Sequence, residues 1–138
     1  MTERGSLTRR LLALNEALTE LEHPDACNIH TLTTNRMLRA AVERWLQISI
    51  ESCLDIANHV IAARAWTPPS TGREAFLILA AHNELDPELA RKLGRAVGLR
   101  NLLVHDYASI DLEQLASIVA HDLDDLRAFA RHATRWLT

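Results

Sequence analysis

The sequence contains no apolar run near twenty residues, the length that a membrane-spanning helix requires. Its first six residues also lack the basic start and the apolar run of a secretory signal peptide. These absences disfavour a membrane protein and a secreted one. We therefore expect a protein of the cytoplasm that has no contact with a membrane.

Cysteine is scarce, since the chain contains only Cys27 and Cys53. Two cysteines cannot form a disulfide framework, so we expect small buried side chains or unreactive thiols. A metal site formed by His23, Cys27 and His30 is disfavoured, because a fourth ligand is missing and the segment follows a proline in a predicted loop. The chain also lacks a glycine-rich phosphate loop and a second carboxylate cluster. We therefore expect neither a metal nor another cofactor.

Lysine is almost absent, because Lys92 is the only lysine among 15 basic residues. Arginine grips a phosphate at two points more effectively than lysine does, although GC-rich coding would produce the same preference. The net charge of −3 does not favour nucleic-acid binding, since proteins that bind through phosphate contacts tend to be basic. A nucleic-acid site in this chain would therefore be a local basic cleft.

Apolar residues follow helical spacing along most of the chain, and no stretch alternates as a strand does. The 138 residues indicate one domain, residues 1–138, without internal repeats. A loop is expected at residues 23–34. The predicted helices are residues 7–22, residues 35–64, a short helix from residue 70 or 71 to about 83, a fourth helix from residue 86, and a last one over residues 111–137. These elements predict an all-α fold, an up-and-down bundle of four to five helices.

Residues 100–107 concentrate the side chains that a phosphate-handling site needs. Arg100 stays charged at every cellular pH and can grip a phosphate in a planar fork, whereas His105 can take or give a proton near neutral pH. On an unbroken helix Asn101 and His105 share one face, so Asn101 is placed to orient the imidazole. Arg100 and His105 lie about 140° apart on such a helix. A helix that loosens near Asp106, or a second subunit, would complete the cleft.

The motif also matches a known family along a longer segment. The run from Val97 to Tyr107, with its Arg-x4-His-x-Tyr pattern, resembles the signature of the HepT-like branch of the HEPN superfamily. A second block at residues 43–61 resembles the same family, and the two blocks stand in the family's order. The resemblance covers roughly residues 36–126. An Arg and a His at this spacing also occur by chance, but two ordered blocks do not, and the chain is identified as a member.

The resemblance implies the toxin of a type II/VII-like toxin–antitoxin system, a metal-independent RNA endonuclease. Arg100 would stabilise charge on the phosphorane, and His105 would transfer protons at the ribose 2′-oxygen and the leaving group. The implied partner is a minimal nucleotidyltransferase (MNT) antitoxin, which transfers AMP from ATP to Tyr107, the only tyrosine. The alternative is a non-catalytic HEPN helical module that serves as the docking or substrate-binding partner of a nucleotidyltransferase.

The long predicted helix adds a supporting residue and an expectation about assembly. Asp55 lies on its polar face, which is either a solvated surface or a support that holds Arg100 in place. Ile48, Ile50 and Leu54 lie off the main apolar stripe, so we expect a symmetric homodimer built on helices. The resemblance also implies a dimer, in which paired Arg and His residues line one composite cleft.

Overall fold

The computed structural model describes residues 3–105 and 111–137, with side chains for residues 5–104 and 111–137. This part of the chain contains no strand, which confirms the all-α prediction. None of its helices combines the length and apolarity that a bilayer span requires. The elements are α1 (Glu3–Leu21), a 3₁₀ helix (Pro24–Cys27), α2 (Ile29–Thr34), α3 (Arg36–Ala63), α4 (Gly72–Ala81), α5 (Pro87–His105), α6 (Leu112–His121) and α7 (Leu123–Trp136).

Side-chain caps fix the starts of the helices that the sequence predicts well. Four helices begin at a cap residue whose side chain accepts a hydrogen bond from the backbone N–H two or three residues later. These cap residues are Asn35, Thr71, Asp86 and Asp111. Each cap satisfies a donor that the first helical turn leaves without an intrahelical partner. The long helix and the motif helix therefore begin within one residue of their predicted positions.

Three predictions of helix bounds differ from the structure. The first helix begins at Glu3, four residues before its predicted start at residue 7. The expected loop at residues 23–34 contains the 3₁₀ helix and α2, because Asn28 caps α2 at the N–H of His30 and Leu32 is fully buried. The expected last helix divides at Asp122, where neither proline nor glycine marks the break. The described residues therefore form seven α-helices instead of the four to five expected.

The core surrounds α3 and uses residues that were expected to face a second subunit. Ile50 is only 1 % exposed, and Leu54 packs against the core beside Gly72. Both side chains are thus occupied within the chain, whereas Ile48 is partly exposed. The apolar face of the long helix gives no support for a dimer, and the homodimer remains a prediction.

Glu84 connects three parts of the fold away from the motif. Arg64 at the end of α3 donates from Nη1 to Glu84 Oε1 at 2.8 Å, and Trp136 of α7 donates from Nε1 to Glu84 Oε2 at 2.5 Å. These hydrogen bonds lower the pKa of Glu84. Because the folded pKa lies below the unfolded value, the stabilisation is present above the unfolded pKa and is lost as the pH falls through the folded one.

The two cysteines have different surroundings. Cys53 is buried in α3, and burial raises the pKa of its thiol, which keeps it protonated and unreactive. Cys27 is exposed, and its Sγ donates to the carbonyl oxygen of Pro24 at 3.6 Å. Cys53 is therefore the small buried side chain that was expected, whereas Cys27 is exposed and only the alternative of an unreactive thiol is left for it.

Candidate functional site

A close contact between α3, α4 and α5 determines how far along the bundle the motif residues lie. A Cβ atom added at Gly72 would lie 3.0 Å from Val97 Cγ1 and 3.2 Å from Leu54 Cδ2, so any larger residue there would push these side chains of α5 and α3 outward by a few tenths of an ångström. Arg100 lies one helical turn beyond Val97, and Asp55 directly follows Leu54. The contact therefore brings Arg100 and Asp55 to the same level of the bundle.

Arg100 is half-buried on the core-facing side of α5. It lies on the same helical face as the buried residues Leu93, Val97 and Leu103. Its Nε atom is buried and has no hydrogen-bond partner among the described residues. A buried N–H without a partner costs about 1–3 kcal/mol, so an anionic ligand that accepts a hydrogen bond from Arg100 would remove that cost.

Asp55 lies within electrostatic reach of two arginines on different helices. The pKa of its carboxyl is raised overall, and partial burial is the largest cause. Arg10 and Arg100 act in the opposite direction and lower this pKa, whereas Glu51 also raises it. The direct ion pair of Asp55 is with Arg10 of α1, whose Nε lies 4.0 Å from Asp55 Oδ2. The structure thus brings Asp55 near Arg100, while within the described ranges its direct charged contact is with Arg10.

The remaining motif residues are described only in part. Asn101 is exposed, and α5 is unbroken from Asn101 to His105, so the backbone places these two residues on one face. The side chain of His105 and all of Tyr107 lie outside the described residues, as does the loosening expected near Asp106. The roles of Asn101, His105 and Tyr107 therefore remain predictions.

Arg10 is a charged neighbour of Asp55 that the sequence reasoning missed. It lies on the same face of α1 as the buried residues Leu7, Leu14 and Ala17. Its side chain is 41 % exposed, and its Nη1 donates to Ser6 Oγ. An arginine on the apolar face of a helix was the available signal, but its approach to Asp55 depends on how α1 packs against α3.

No group of three His, Cys, Asp or Glu side chains within residues 5–104 and 111–137 lies close enough to hold a metal ion. In the segment that was considered for a metal, His23 Nδ1 accepts a hydrogen bond from the N–H of Asp25 at 3.2 Å. The His23 side chain therefore acts as the cap of the short 3₁₀ helix.

Comparison with protein families settles the relationship that the motif suggests. Residues 14–133 match the family model described as Ribonuclease HepT-like. The chain belongs to the HepT-like family. The matched segment of this HepT-like chain contains all of α3 and α5, but it begins beyond Arg10. The resemblance that the two sequence blocks indicated is thereby confirmed.

Curated relatives and a solved structure agree with this placement. The mRNA nuclease HepT of Shewanella oneidensis is 38 % identical over 84 residues, which are 61 % of this chain and 63 % of that protein. The tRNA nuclease HepT of Aphanizomenon flos-aquae is 33 % identical over 95 residues, which are 69 % and 65 % of the two chains. The alignments thus span less than two-thirds of either relative. The tri-AMPylated Shewanella oneidensis HEPN toxin, solved in complex with MNT antitoxin, superposes with a TM-score of 0.86 at 26 % identity and covers 98 % of this chain and 99 % of its own.

Proposed function

We propose that this HepT-like chain is the ribonuclease toxin of a toxin–antitoxin pair and that it cleaves RNA without a metal ion. The observation that carries the proposal is Arg100 of the family motif, whose buried Nε has no partner among the described residues. A guanidinium with an unsatisfied donor suits an anionic phosphate that reaches it. Relatives that carry the names mRNA nuclease and tRNA nuclease support RNA as the substrate.

The proposed reaction is an internal transesterification of RNA. The ribose 2′-oxygen attacks the adjacent phosphorus, and the bond from phosphorus to the leaving 5′-oxygen breaks. His105 takes the proton from the 2′-hydroxyl or supplies one to the leaving 5′-oxygen, and water exchanges the other proton. Arg100 stabilises the charge that accumulates on the phosphorane. The products are a 2′,3′-cyclic phosphate and a 5′-hydroxyl.

Two neighbours of this pair would support the reaction. Asn101 shares the helical face of His105 and would orient its imidazole by a hydrogen bond. The negative charge of Asp55 would attract the guanidinium of Arg100 and hold it toward the cleft. The lowering of the Asp55 pKa by Arg100 supports this role. Neither residue forms or breaks a bond in this scheme.

The proposed partners follow from the relatives. The Shewanella oneidensis toxin was solved in AMPylated form with MNT antitoxin. We accordingly assign to this chain an MNT antitoxin that attaches AMP to Tyr107, a homodimer that completes the cleft, and a place in the cytoplasm, where RNA and ATP are available.

Expression in bacteria separates this function from that of a non-catalytic docking module. The chain expressed without an antitoxin should arrest growth and degrade RNA, because an active nuclease then has no inhibitor. The His105→Ala variant, produced at the same level, should permit growth, since removing a general acid–base group lowers the rate by about 100-fold or more. Colony counts and RNA electrophoresis measure both effects. Equal growth with both chains would favour the docking module, and equal arrest would remove His105 from the mechanism.

A further inference from the structure

Two arginines from different helices converge on one carboxylate. Arg10 belongs to α1 and Arg100 to α5, and both lower the pKa of Asp55 on α3. Glu51, one turn before Asp55, is the other acidic group that acts on this carboxyl, and Gln47 donates to Glu51 Oε1 at 3.2 Å. The cluster therefore contains two permanently charged guanidinium groups, from α1 and α5, and two carboxylates of α3.

The two arginines share a second property that concerns ligands. The Nε atoms of Arg10 and Arg100 are the buried side-chain polar atoms without a hydrogen-bond partner in the part of the chain that the structure describes. The 4.0 Å separation of Arg10 Nε from Asp55 Oδ2 permits an ion pair but exceeds hydrogen-bond length. Each guanidinium thus keeps a donor that nothing in the described protein satisfies.

The arrangement does not fit a purely structural ion pair. A carboxylate that is held strongly by two arginines has a lowered pKa, whereas the pKa of Asp55 is raised, by partial burial first and by Glu51 in addition. The Asp55 side chain is also 58 % exposed, so solvent weakens its attraction for Arg10. Stabilisation of the fold therefore gives little physical reason for an arginine on the apolar face of α1.

We propose that Arg10 is a second phosphate-binding residue, which holds an RNA phosphate next to the one that Arg100 contacts. This inference rests on the proposed ribonuclease function and extends its site to the N-terminal helix, outside the segment that matches the family. RNA supplies successive phosphates along one strand, so two forks on α1 and α5, which both pack against α3, can bind two of them and fix the register of the strand. Asp55 keeps both guanidinium groups directed toward the cleft until RNA enters.

Binding of uncleavable RNA tests the assignment. A fluorescein-labelled single-stranded 2′-O-methyl RNA cannot undergo the transesterification, so anisotropy with the full chain reports binding alone. The Arg10→Gln variant should bind about fivefold more weakly or worse, and the slope of log K against log salt should become shallower by about 0.7, the value for one lost phosphate contact on a single strand. A loss of packing alone would not change that slope.

A matched variant and a cleavage assay complete the experiment. Arg36→Gln removes the same charge at the start of α3, about 28 Å along the helix from Asp55, and should leave affinity and slope at wild-type values. Thermal unfolding confirms that each variant is folded. An Arg10→Gln protein with unchanged affinity, or with weaker binding at an unchanged slope, overturns the role of Arg10. If the unmodified chain still cleaves ordinary RNA in that case, the ribonuclease function stands, whereas absence of both cleavage and binding overturns both proposals.

Discussion

Replacement of Arg100 or His105 by alanine should each lower the rate of RNA cleavage by about 100-fold or more. Arg100→Ala removes the guanidinium that stabilises charge in the transition state. His105→Ala removes the group that transfers protons. Arg100→Lys should fail as well, because an ammonium group cannot reproduce the two-point grip of the arginine fork. Single-turnover cleavage of a labelled RNA by purified protein measures all three effects.

A control on the same helix separates the site from general charge effects. Arg95 is an exposed residue of α5, five positions before Arg100 and about 140° from it around the helix. Arg95→Ala should therefore keep a rate close to that of the wild type. A rate for Arg100→Ala or His105→Ala within about threefold of wild type would correspond to less than 1 kcal/mol of transition-state stabilisation. That result would remove the residue from the chemistry.

Attachment of AMP to Tyr107 should abolish most of the nuclease activity without unfolding the protein. The tyrosine oxygen attacks the α-phosphorus of ATP, a phosphodiester forms and pyrophosphate leaves. Each AMP brings at least one negative charge near Arg100, which then pairs with the adduct in place of a substrate phosphate. Co-expression with an MNT partner, followed by intact-mass and peptide analysis, locates the adduct, and the cleavage assay measures the loss.

The Tyr107→Phe variant provides the matched comparison. It should remain folded, keep at least part of its cleavage and resist neutralisation by the transferase activity of the partner. Tyr107 is the only tyrosine, so a tyrosine adduct in mass spectra has a single position. An adduct on serine or threonine would contradict the assignment. The same holds for suppression of toxicity with no adduct, which would indicate inhibition by binding alone.

The sequence predicts the long helices well because their signals are local. The apolar stripe of α3 is bounded by the Asn35 cap and by Pro68 and Pro69, and α5 begins at Asp86 and Pro87. The segment at residues 23–34 was predicted incorrectly, because α2 is only six residues long and depends on burial of Leu32 by other helices. The last predicted helix divides at Asp122 without a proline or glycine in the sequence that would indicate the break.

In the candidate site, too, local features could be predicted from the sequence and long-range contacts could not. Arg100 and its motif are contiguous in sequence, so pattern and family resemblance are sufficient to find them. Arg10 is 45 residues from Asp55 along the chain and becomes its neighbour only when α1 packs against α3. Ile50 and Leu54 failed as indicators of a dimer for the same physical reason. Helical periodicity shows which residues are apolar, but it does not show which neighbour covers them.

Cleavage of RNA by the purified chain in excess EDTA tests the central claim most directly. The proposed chemistry needs only protein side chains and the ribose 2′-hydroxyl, so the rate should be the same with and without the chelator. The fragments should end in a 2′,3′-cyclic phosphate or the 3′-phosphate formed when it opens, which end-group analysis identifies. Loss of cleavage on chelation, or fragments that carry a 3′-hydroxyl and a 5′-phosphate, would contradict the mechanism.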